Sequence, residues 1–147
     1  MLLKGRTSEA IEQYKQALKI DPDYAEVHLN LGSAFFLRGR TPEAIEHYEQ
    51  ALRIDPGFAG AHNNLGHALV QTGRAQEAID HYKEALRITP NSADAHINLA
   101  AALAQMGRTS EAIEQLKAAL QIKPYDTDIR KNLTKLEEVQ KTTPDKK

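Results

Sequence analysis

The sequence predicts an all-α solenoid, in which pairs of helices stack side by side and each pair contacts only its neighbours. The first observation is a fixed period, because small residues and prolines return every 34 residues. The second is composition: 5% of the residues are aromatic and none is tryptophan or cysteine, so alanine, leucine and isoleucine must build most of the interior. Such a period is typical of stacked repeats rather than of one closed core. The repeating positions include Gly5, Gly39, Gly73 and Gly107, Ala10, Ala44, Ala78 and Ala112, and Pro22, Pro56, Pro90 and Pro124.

Each repeat has the pattern of two helices joined by a tight turn. In the unit 25–58, apolar residues recur at helical spacing between positions 27 and 35 and again between 44 and 52. Gly39 breaks the first helix, since glycine readily takes the left-handed conformation that a tight turn needs. Thr41 is the predicted N-cap of the second helix, with Pro42 at its first position. Pro56 ends that helix, because the residue before a proline disfavours the helical conformation.

This pattern resembles the tetratricopeptide repeat. That family has a small residue in the first helix, an alanine–aromatic–alanine pattern in the second, and a proline after it. The unit 25–58 supplies Gly32, Ala44, Tyr48, Ala51 and Pro56 for these roles. The later units match except that Leu116 replaces the aromatic residue, and His28, His62 and His96 stand where the family often has tryptophan. The resemblance implies a right-handed superhelix whose first helices line a concave, protein-binding groove.

The predicted organisation is a single array over 1–141. It comprises a half repeat at 1–24, repeats at 25–58, 59–92 and 93–126, and a capping helix at 127–141, followed by a disordered tail at 142–147. In register, residues 1–4 are the last turn of a first helix, Gly5-Arg6 is a turn, and a second helix runs from about 8 to 20. Thr134 and Glu137 make the C-terminal helix a solvated cap, which repeat arrays need.

The N-terminal half repeat is predicted to leave an apolar face open. Ala10, Tyr14 and Ala17 lie where complete repeats pack a first helix, so they would expose apolar surface that soluble monomers tend to avoid. We therefore expect the chain to be a piece of a longer protein, or a unit that forms a homodimer through this face. A third alternative is the substrate-recruiting arm of a larger enzyme, such as a glycosyltransferase.

One asparagine recurs in phase on each first helix and on the cap. Asparagine is a mediocre helix former, so four copies in phase need a reason. Its amide can both donate to and accept from one peptide unit. The row resembles the asparagine ladder in the repeat superhelix of O-linked N-acetylglucosamine transferases, which implies a grip on the backbone of an extended peptide. The residues are Asn30, Asn64, Asn98 and Asn132.

The remaining groove positions vary between repeats and would give preference rather than affinity. They are apolar in the N-terminal half and basic in the cap, at Lys131 and Lys135, so we expect a peptide with an apolar anchor and an acidic end. The predicted groove also contains Leu29, Ser33, Phe36, Leu37, Asn63, His67, Val70, Gln71, Ile97 and Gln105. The sequence lacks the clamp that holds the C-terminal carboxylate of heat-shock proteins, since Asn64 alone matches it and Asp94 would repel the carboxylate.

Other functions find little support in the sequence. The net charge of −1 argues against a nucleic-acid surface, which needs a basic stripe. The chain has no apolar run of membrane-spanning length, and the absence of cysteine fits a cytoplasmic protein. No glycine-rich phosphate loop or assembled catalytic set is recognisable, so we predict no catalysis and no cofactor.

The histidines also recur in phase, but they do not predict a metal site. Equivalent residues on adjacent repeats lie about 8–10 Å apart or more. Two imidazole nitrogens on one zinc ion must instead lie within about 4 Å of each other. We expect the histidines to fill or border contacts between helices. They are His28, His62 and His96 on first helices, and His47 and His81 on second helices.

Overall fold

The computed structural model describes residues 2–145, which form eight α-helices joined by short turns. Met1, Lys146 and Lys147 lie outside the described residues. The all-α solenoid of tandem helix pairs is confirmed. The helices are α1 (Leu2–Ile20), α2 (Ala25–Leu37), α3 (Thr41–Ile54), α4 (Ala59–Gln71), α5 (Ala75–Ile88), α6 (Ala93–Gln105), α7 (Thr109–Ile122) and α8 (Thr127–Thr142). Over the described range, no helix is long and apolar enough to cross a bilayer.

The helices pack in chain order. Helices α2 and α3, α4 and α5, and α6 and α7 form the three pairs, and each pair packs on the next through its second helix. Helix α2 also touches α4, and α4 touches α6, so the first helices adjoin one another along the stack. Helix α1 packs on α2 at one end, and α8 packs on α7 at the other.

The glycine turns between paired helices have the predicted left-handed conformation. The φ angles of Gly39, Gly73 and Gly107 are 73°, 78° and 73°. The Gly39 N–H donates to the Phe36 carbonyl at 2.9 Å, and the Arg40 N–H donates to the Phe35 carbonyl at 3.0 Å. This is the Schellman pattern, which satisfies carbonyls at the helix end.

The start of each second helix differs from the prediction. Thr41 is the first residue of α3 rather than its N-cap, which is Arg40, and no side chain caps the helix. The Arg40 Nε atom donates to Glu43 Oε1 at 2.8 Å and holds the carboxylate near the helix N-terminus. A negative charge there is favoured by the helix dipole. The Arg-x-x-Glu contact is repeated at α5 and α7.

The predicted turn at Gly5-Arg6 is wrong, because α1 continues through both residues as one helix. Gly5 does not have the positive φ of the other three glycines. Its position is open, since a Cβ atom added there would meet nothing within 4 Å. The turn at Gly39 joins two helices that pack together, whereas among the described residues α1 makes its main contacts with α2. Without a packed partner to fix a turn, the hydrogen bonds of the helix continue.

The core consists of small and aliphatic residues together with Phe35 of α2 and one tyrosine in each of α3 and α5. In the first complete repeat, Ala44, Tyr48 and Ala51 are at most 2% exposed. Their counterparts in α1, Ala10, Tyr14 and Ala17, are only half-buried. The predicted apolar face of α1 is therefore partly covered, and less so than the same face in a complete repeat.

At the C-terminal end, the chain returns to the body of the protein. Residues 142–147 were predicted to be a disordered tail, but Thr142 is the last residue of α8. The Asp145 carboxylate accepts hydrogen bonds from the Thr109 N–H at 3.0 Å and the Ser110 N–H at 2.9 Å. These N–H groups begin α7 and have no partner within their own helix, so the carboxylate satisfies them. The hydrogen bonds lower the pKa of Asp145.

Candidate functional site

The asparagine row follows the first helices of the stack. Asn30, Asn64 and Asn98 are half-buried on α2, α4 and α6, and Asn132 is exposed on α8. Three of them line separate clefts. Asn30 lines one between α1 and α2, Asn64 lines one between α2 and α4, and Asn132 lines one between α6 and α8. The clefts at Asn64 and Asn132 lie between adjacent first helices, and the cleft at Asn30 lies between α1 and α2, so the row borders a series of hollows along the stack.

The two central asparagines already make hydrogen bonds within the protein. The Asn64 Nδ2 atom donates to Ser33 Oγ at 3.3 Å. The Asn98 Nδ2 atom donates to Asn63 Oδ1 at 3.1 Å. These bonds cross from one first helix to the previous one and orient the amides. Among residues 2–145, no hydrogen bond is found to the Oδ1 atom of Asn64 or Asn98, so each can accept one from a ligand.

In the first repeat, the floor of the groove is filled by the protein's own side chains. The Tyr48 hydroxyl donates to Ser33 Oγ at 3.3 Å, and Ser33 donates to the Leu29 carbonyl at 3.0 Å. Burial raises the pKa of Tyr48, so its hydroxyl remains a donor at neutral pH. The Phe36 ring lies across the groove from the His67 ring, with centroids 5.1 Å apart. The space that remains has a volume of about 190 Å³.

The corresponding place in the third repeat is more open. A cleft of about 260 Å³ lies between α6 and α8, with Leu116 of α7 at its base. Its lining is mostly apolar, and among the described residues that line it Lys135 is the one that carries a charge. The predicted groove residue Ile97 forms part of the wall. The full lining is Ile97, Ala100, Ala101, Ala104, Leu116, Asn132, Lys135 and Leu136.

The other predicted groove residues are less closely associated with the clefts. Leu29 and Val70 are half-buried and pack against the core. Leu37 lines two clefts but is 79% exposed. Gln71 and Gln105 are exposed at the ends of their helices. The structure thus brings Ser33, Phe36, Asn64 and His67 together, and leaves the two glutamines outside that cluster.

A third cleft, of about 330 Å³, lies between α1 and α2. Ala10 and Tyr14 of α1 line it together with Asn30 and Ser33 of α2. This cleft therefore connects the apolar face of α1 with Asn30, the first residue of the asparagine row. Ala17, the third residue predicted for a dimer face, is half-buried but does not line the cleft.

Sequence reasoning missed two pairs of histidines, each within a single repeat. His28 Nδ1 lies 3.0 Å from His47 Nδ1, and His62 Nδ1 lies 3.0 Å from His81 Nδ1. In the first pair, the Nε2 atom of His28 lies 2.9 Å from the Pro22 carbonyl. A carbonyl can only accept, so His28 Nε2 carries a proton, and in the neutral ring its Nδ1 accepts from His47. The signal in the sequence was the recurrence of both histidines, 19 residues apart, in two repeats.

These pairs fit a hydrogen bond between helices. Burial, followed by the neighbouring His28, lowers the pKa of His47, and burial and His62 lower the pKa of His81. In the third repeat, Gln115 replaces the second histidine, and its amide lies 2.8 Å from His96 Nδ1. Within the described residues, no three histidine or carboxylate side chains group into a metal-binding cluster.

Comparison with known families and structures identifies the repeats. A family model described as TPR repeat matches residues 2–38, 32–73 and 66–107, and one described as tetratricopeptide repeat matches 93–126. Comparison with curated protein sequences gave no significant match. The chain resembles a crystal structure of MamA, with 30% identity over 94% of this chain and 81% of that chain, and a TM-score of 0.88.

Two more distant structures share the fold. YrrB, a TPR protein described as having an unusual peptide-binding site, is 22% identical, with a TM-score of 0.81 over 96% of this chain and 73% of that chain. The first TPR of Spaghetti (RPAP3), bound to the HSP90 peptide SRMEEVD, is 21% identical, with a TM-score of 0.76 over 78% of this chain and 91% of that chain.

Proposed function

Because this chain belongs to the tetratricopeptide repeat family, we propose that it is a non-catalytic interaction module that holds an extended peptide of a partner protein along its asparagine row. The fold typically serves protein interaction, and two solved proteins with this fold have peptide-binding sites. The observation that carries the proposal is the row itself. It comprises four amides in phase, and the two central ones are oriented by hydrogen bonds from their Nδ2 atoms.

The spacing of the row suits an extended chain. Packed helices lie about 8–10 Å apart, and an extended peptide advances about 3.3 Å per residue. Each asparagine would therefore meet about every third residue of the peptide. The free Oδ1 atoms of Asn64 and Asn98 would accept from peptide N–H groups, whatever side chains the peptide carries. The row would thus supply affinity with little selectivity, and the clefts beside it would supply the preference.

A peptide-library binding screen tests the proposal. The wild-type chain and the double variant Asn64→Ala/Asn98→Ala are screened in parallel, with Asn91→Ala, in the exposed turn before α6, as the matched control. Each hydrogen bond contributes about 1 kcal/mol, so the double variant should lose about 30-fold in affinity. The control should bind as the wild type does. Equal binding by the wild type and the double variant would contradict the role of the row.

A second candidate function is self-assembly through α1. Ala10, Tyr14 and Ala17 are half-buried, whereas the same positions of the first complete repeat are buried. A second copy of the chain could cover this face and form a homodimer. Light scattering at high protein concentration would then show a dimer that Tyr14→Glu dissolves and that Tyr125→Glu, at an 89% exposed site, leaves intact. A wild-type monomer at all concentrations would remove this candidate.

A further inference from the structure

The cleft between α6 and α8 differs from the rest of the groove because it is an empty version of a site that is filled elsewhere. Two repeats earlier, Tyr48, Phe36 and Ser33 occupy the places that Leu116, Ala104 and Ala101 occupy here. Each exchange removes side-chain atoms from the groove. The resulting space of about 260 Å³ exceeds the 190 Å³ that remains in the first repeat. We call this space the α6–α8 pocket.

The first two repeats have a buried tyrosine ring where the third repeat has the pocket, and each ring packs tightly against a glycine. A Cβ atom added at Gly32 would lie 2.7 Å from Tyr48 Cε1. A Cβ atom added at Gly66 would lie equally close to Tyr82 Cε1. The tyrosine ring therefore requires a glycine opposite it in the first two repeats.

The third repeat replaces both members of that pair together. Ala100 stands in the place of the glycine and Leu116 in the place of the tyrosine, and both are at most 2% exposed. The exchange of a glycine–tyrosine pair for an alanine–leucine pair keeps the helices packed against each other. It also leaves the outer part of the ring's space open toward the groove, so the pocket is a consequence of the sequence of this repeat.

The rim of the pocket is positively charged. Lys135 lines it, and Lys131 lies one turn earlier on the exposed side of α8. Neither lysine has an acidic partner within 4.0 Å in residues 2–145, although Asp128 and Glu138 lie on the same helix. Asn132, the last member of the row, borders the same space. An apolar floor beside an unpaired ammonium group favours a ligand with an apolar body and a nearby carboxylate.

We infer that the α6–α8 pocket receives an aromatic or large aliphatic side chain of the bound peptide, and that Lys135 pairs with an acidic residue next to it. The inference rests on the proposed peptide-binding function and adds the chemistry of its anchor. An apolar cavity of about 150 Å³ holds a benzene molecule, so this pocket has room for a phenyl ring or a leucine side chain. The sequence favoured an apolar anchor toward the N-terminal half of the groove, whereas this inference puts the anchor beside the basic cap.

The test fills the pocket with the residues that stand at the equivalent positions of the first two repeats. In the double variant Ala100→Gly/Leu116→Tyr, the third repeat acquires the glycine–tyrosine pair of the first two. A displayed library of random peptides is selected on the full wild-type chain. Selected peptides should carry an aromatic or large aliphatic residue within one or two positions of an acid. Filling the pocket should weaken their binding about tenfold or more, since an apolar side chain loses its buried site.

Two further variants separate the anchor from the charge. Ala104→Phe copies Phe36 and fills the pocket from its side, which keeps the test valid if the double variant does not fold. Lys135→Glu should weaken the same peptides about two- to fivefold, as expected for an exposed ion pair. Lys141→Glu, on the last turn of α8, makes the same change of charge away from the pocket and should leave binding unchanged.

Each outcome distinguishes the pocket from the groove. If the selected peptides lose binding in Asn64→Ala/Asn98→Ala but keep it in both filled variants, the pocket inference is overturned and the groove remains. Selection of peptides without an apolar–acidic pair also overturns it. If the wild type selects no peptide, the proposed function and the anchor fail together. Loss of binding in a filled variant whose thermal midpoint is unchanged would support the pocket.

Discussion

Replacing Gly66 by alanine should destabilise the protein, although alanine is the better helix former. The new Cβ atom would lie 2.7 Å from Cε1 of Tyr82 and 2.9 Å from its Cδ1 and Cζ. Tyr82 is 2% exposed and packed in the core, so its ring has little freedom to move away. In a helix interior, the exchange of glycine for alanine would otherwise stabilise by about 1 kcal/mol. The steric effect has to exceed that gain for the prediction to hold.

The magnitude follows from the cost of overpacking. Forcing one extra carbon into a well-packed core costs about 1–3 kcal/mol, and a contact of 2.7 Å with a buried ring belongs at the upper end. We expect Gly66→Ala to lower the free energy of unfolding by about 1–2 kcal/mol after the gain in helix propensity. Tyr82→Leu alone should cost about 2–3 kcal/mol through the cavity it leaves. The double variant, which copies Ala100 and Leu116, should cost at least 1 kcal/mol less than the sum.

The assay is urea unfolding followed by far-ultraviolet circular dichroism, applied to the wild type, both single variants and the double variant. Gly60→Ala is the matched control on the same helix, because a Cβ atom there would lie 3.5 Å from its nearest neighbour, an ordinary contact. That control should be neutral or stabilising. If Gly66→Ala is as harmless as Gly60→Ala, or if the two single costs simply add, then the tyrosine ring does not require a glycine opposite it.

Three further predictions concern the turns, the histidine pairs and the C-terminal contact. Gly73→Ala, at a φ of 78°, should lower the free energy of unfolding by about 1–2 kcal/mol. Gly5→Ala, inside α1, should be neutral or stabilising. Equal effects of the two variants in urea unfolding would contradict the conformations assigned to these glycines. The pKa of His81 is lowered by burial and by His62, so the unfolded chain binds more protons, and stability should fall as the pH drops below about 6.5. His81→Gln, which copies the third repeat, should reduce that fall between pH 7.5 and 5.5, and an unchanged slope would contradict the pairing. Asp145→Ala should speed amide hydrogen exchange at Thr109 and Ser110 and leave exchange at the start of α5 unchanged. Unchanged exchange at the start of α7 would contradict the contact with Asp145.

The parts of the fold that could be predicted were those that one residue type encodes locally. The left-handed turns at Gly39, Gly73 and Gly107 were predictable because glycine takes a positive φ at little cost. The burial of Ala44 and Ala51 followed from helical spacing. Gly5 lies inside a helix instead, because a turn there also needs a packed partner, and a short local motif does not report whether that partner exists.

The parts of the candidate site that could not be predicted depend on contacts between helices. The bond between His28 and His47 joins the two helices of one repeat, whereas the sequence argument compared equivalent histidines on adjacent repeats. The α6–α8 pocket was also missed. Leu116 was recognised as a departure from the repeat pattern, but the volume that it leaves depends on Ala104 and on α8. Volume is a property of several elements at once, and it appears only when they are assembled.

The proposed affinity of the groove depends on how little the protein must reorganise. Four hydrogen bonds at about 1 kcal/mol each would give, at best, a dissociation constant of about 1 mM. Immobilising a free side chain costs about 0.5–1.5 kcal/mol, which would cancel such bonds if the asparagines were mobile. Because Asn64 and Asn98 are held by Ser33 and Asn63, much of that cost has already been met on folding.

An apolar anchor changes the scale of binding more than the row can. Burying one aromatic or large aliphatic side chain contributes about 1.5–3 kcal/mol, which would move the dissociation constant from about 1 mM to the order of ten micromolar. A row that holds only the peptide backbone would not distinguish one extended peptide from another. Selectivity therefore has to come from groove positions at which the repeats differ, and the α6–α8 pocket at Leu116 and Ala104 is the one that offers an apolar side chain a place to be buried.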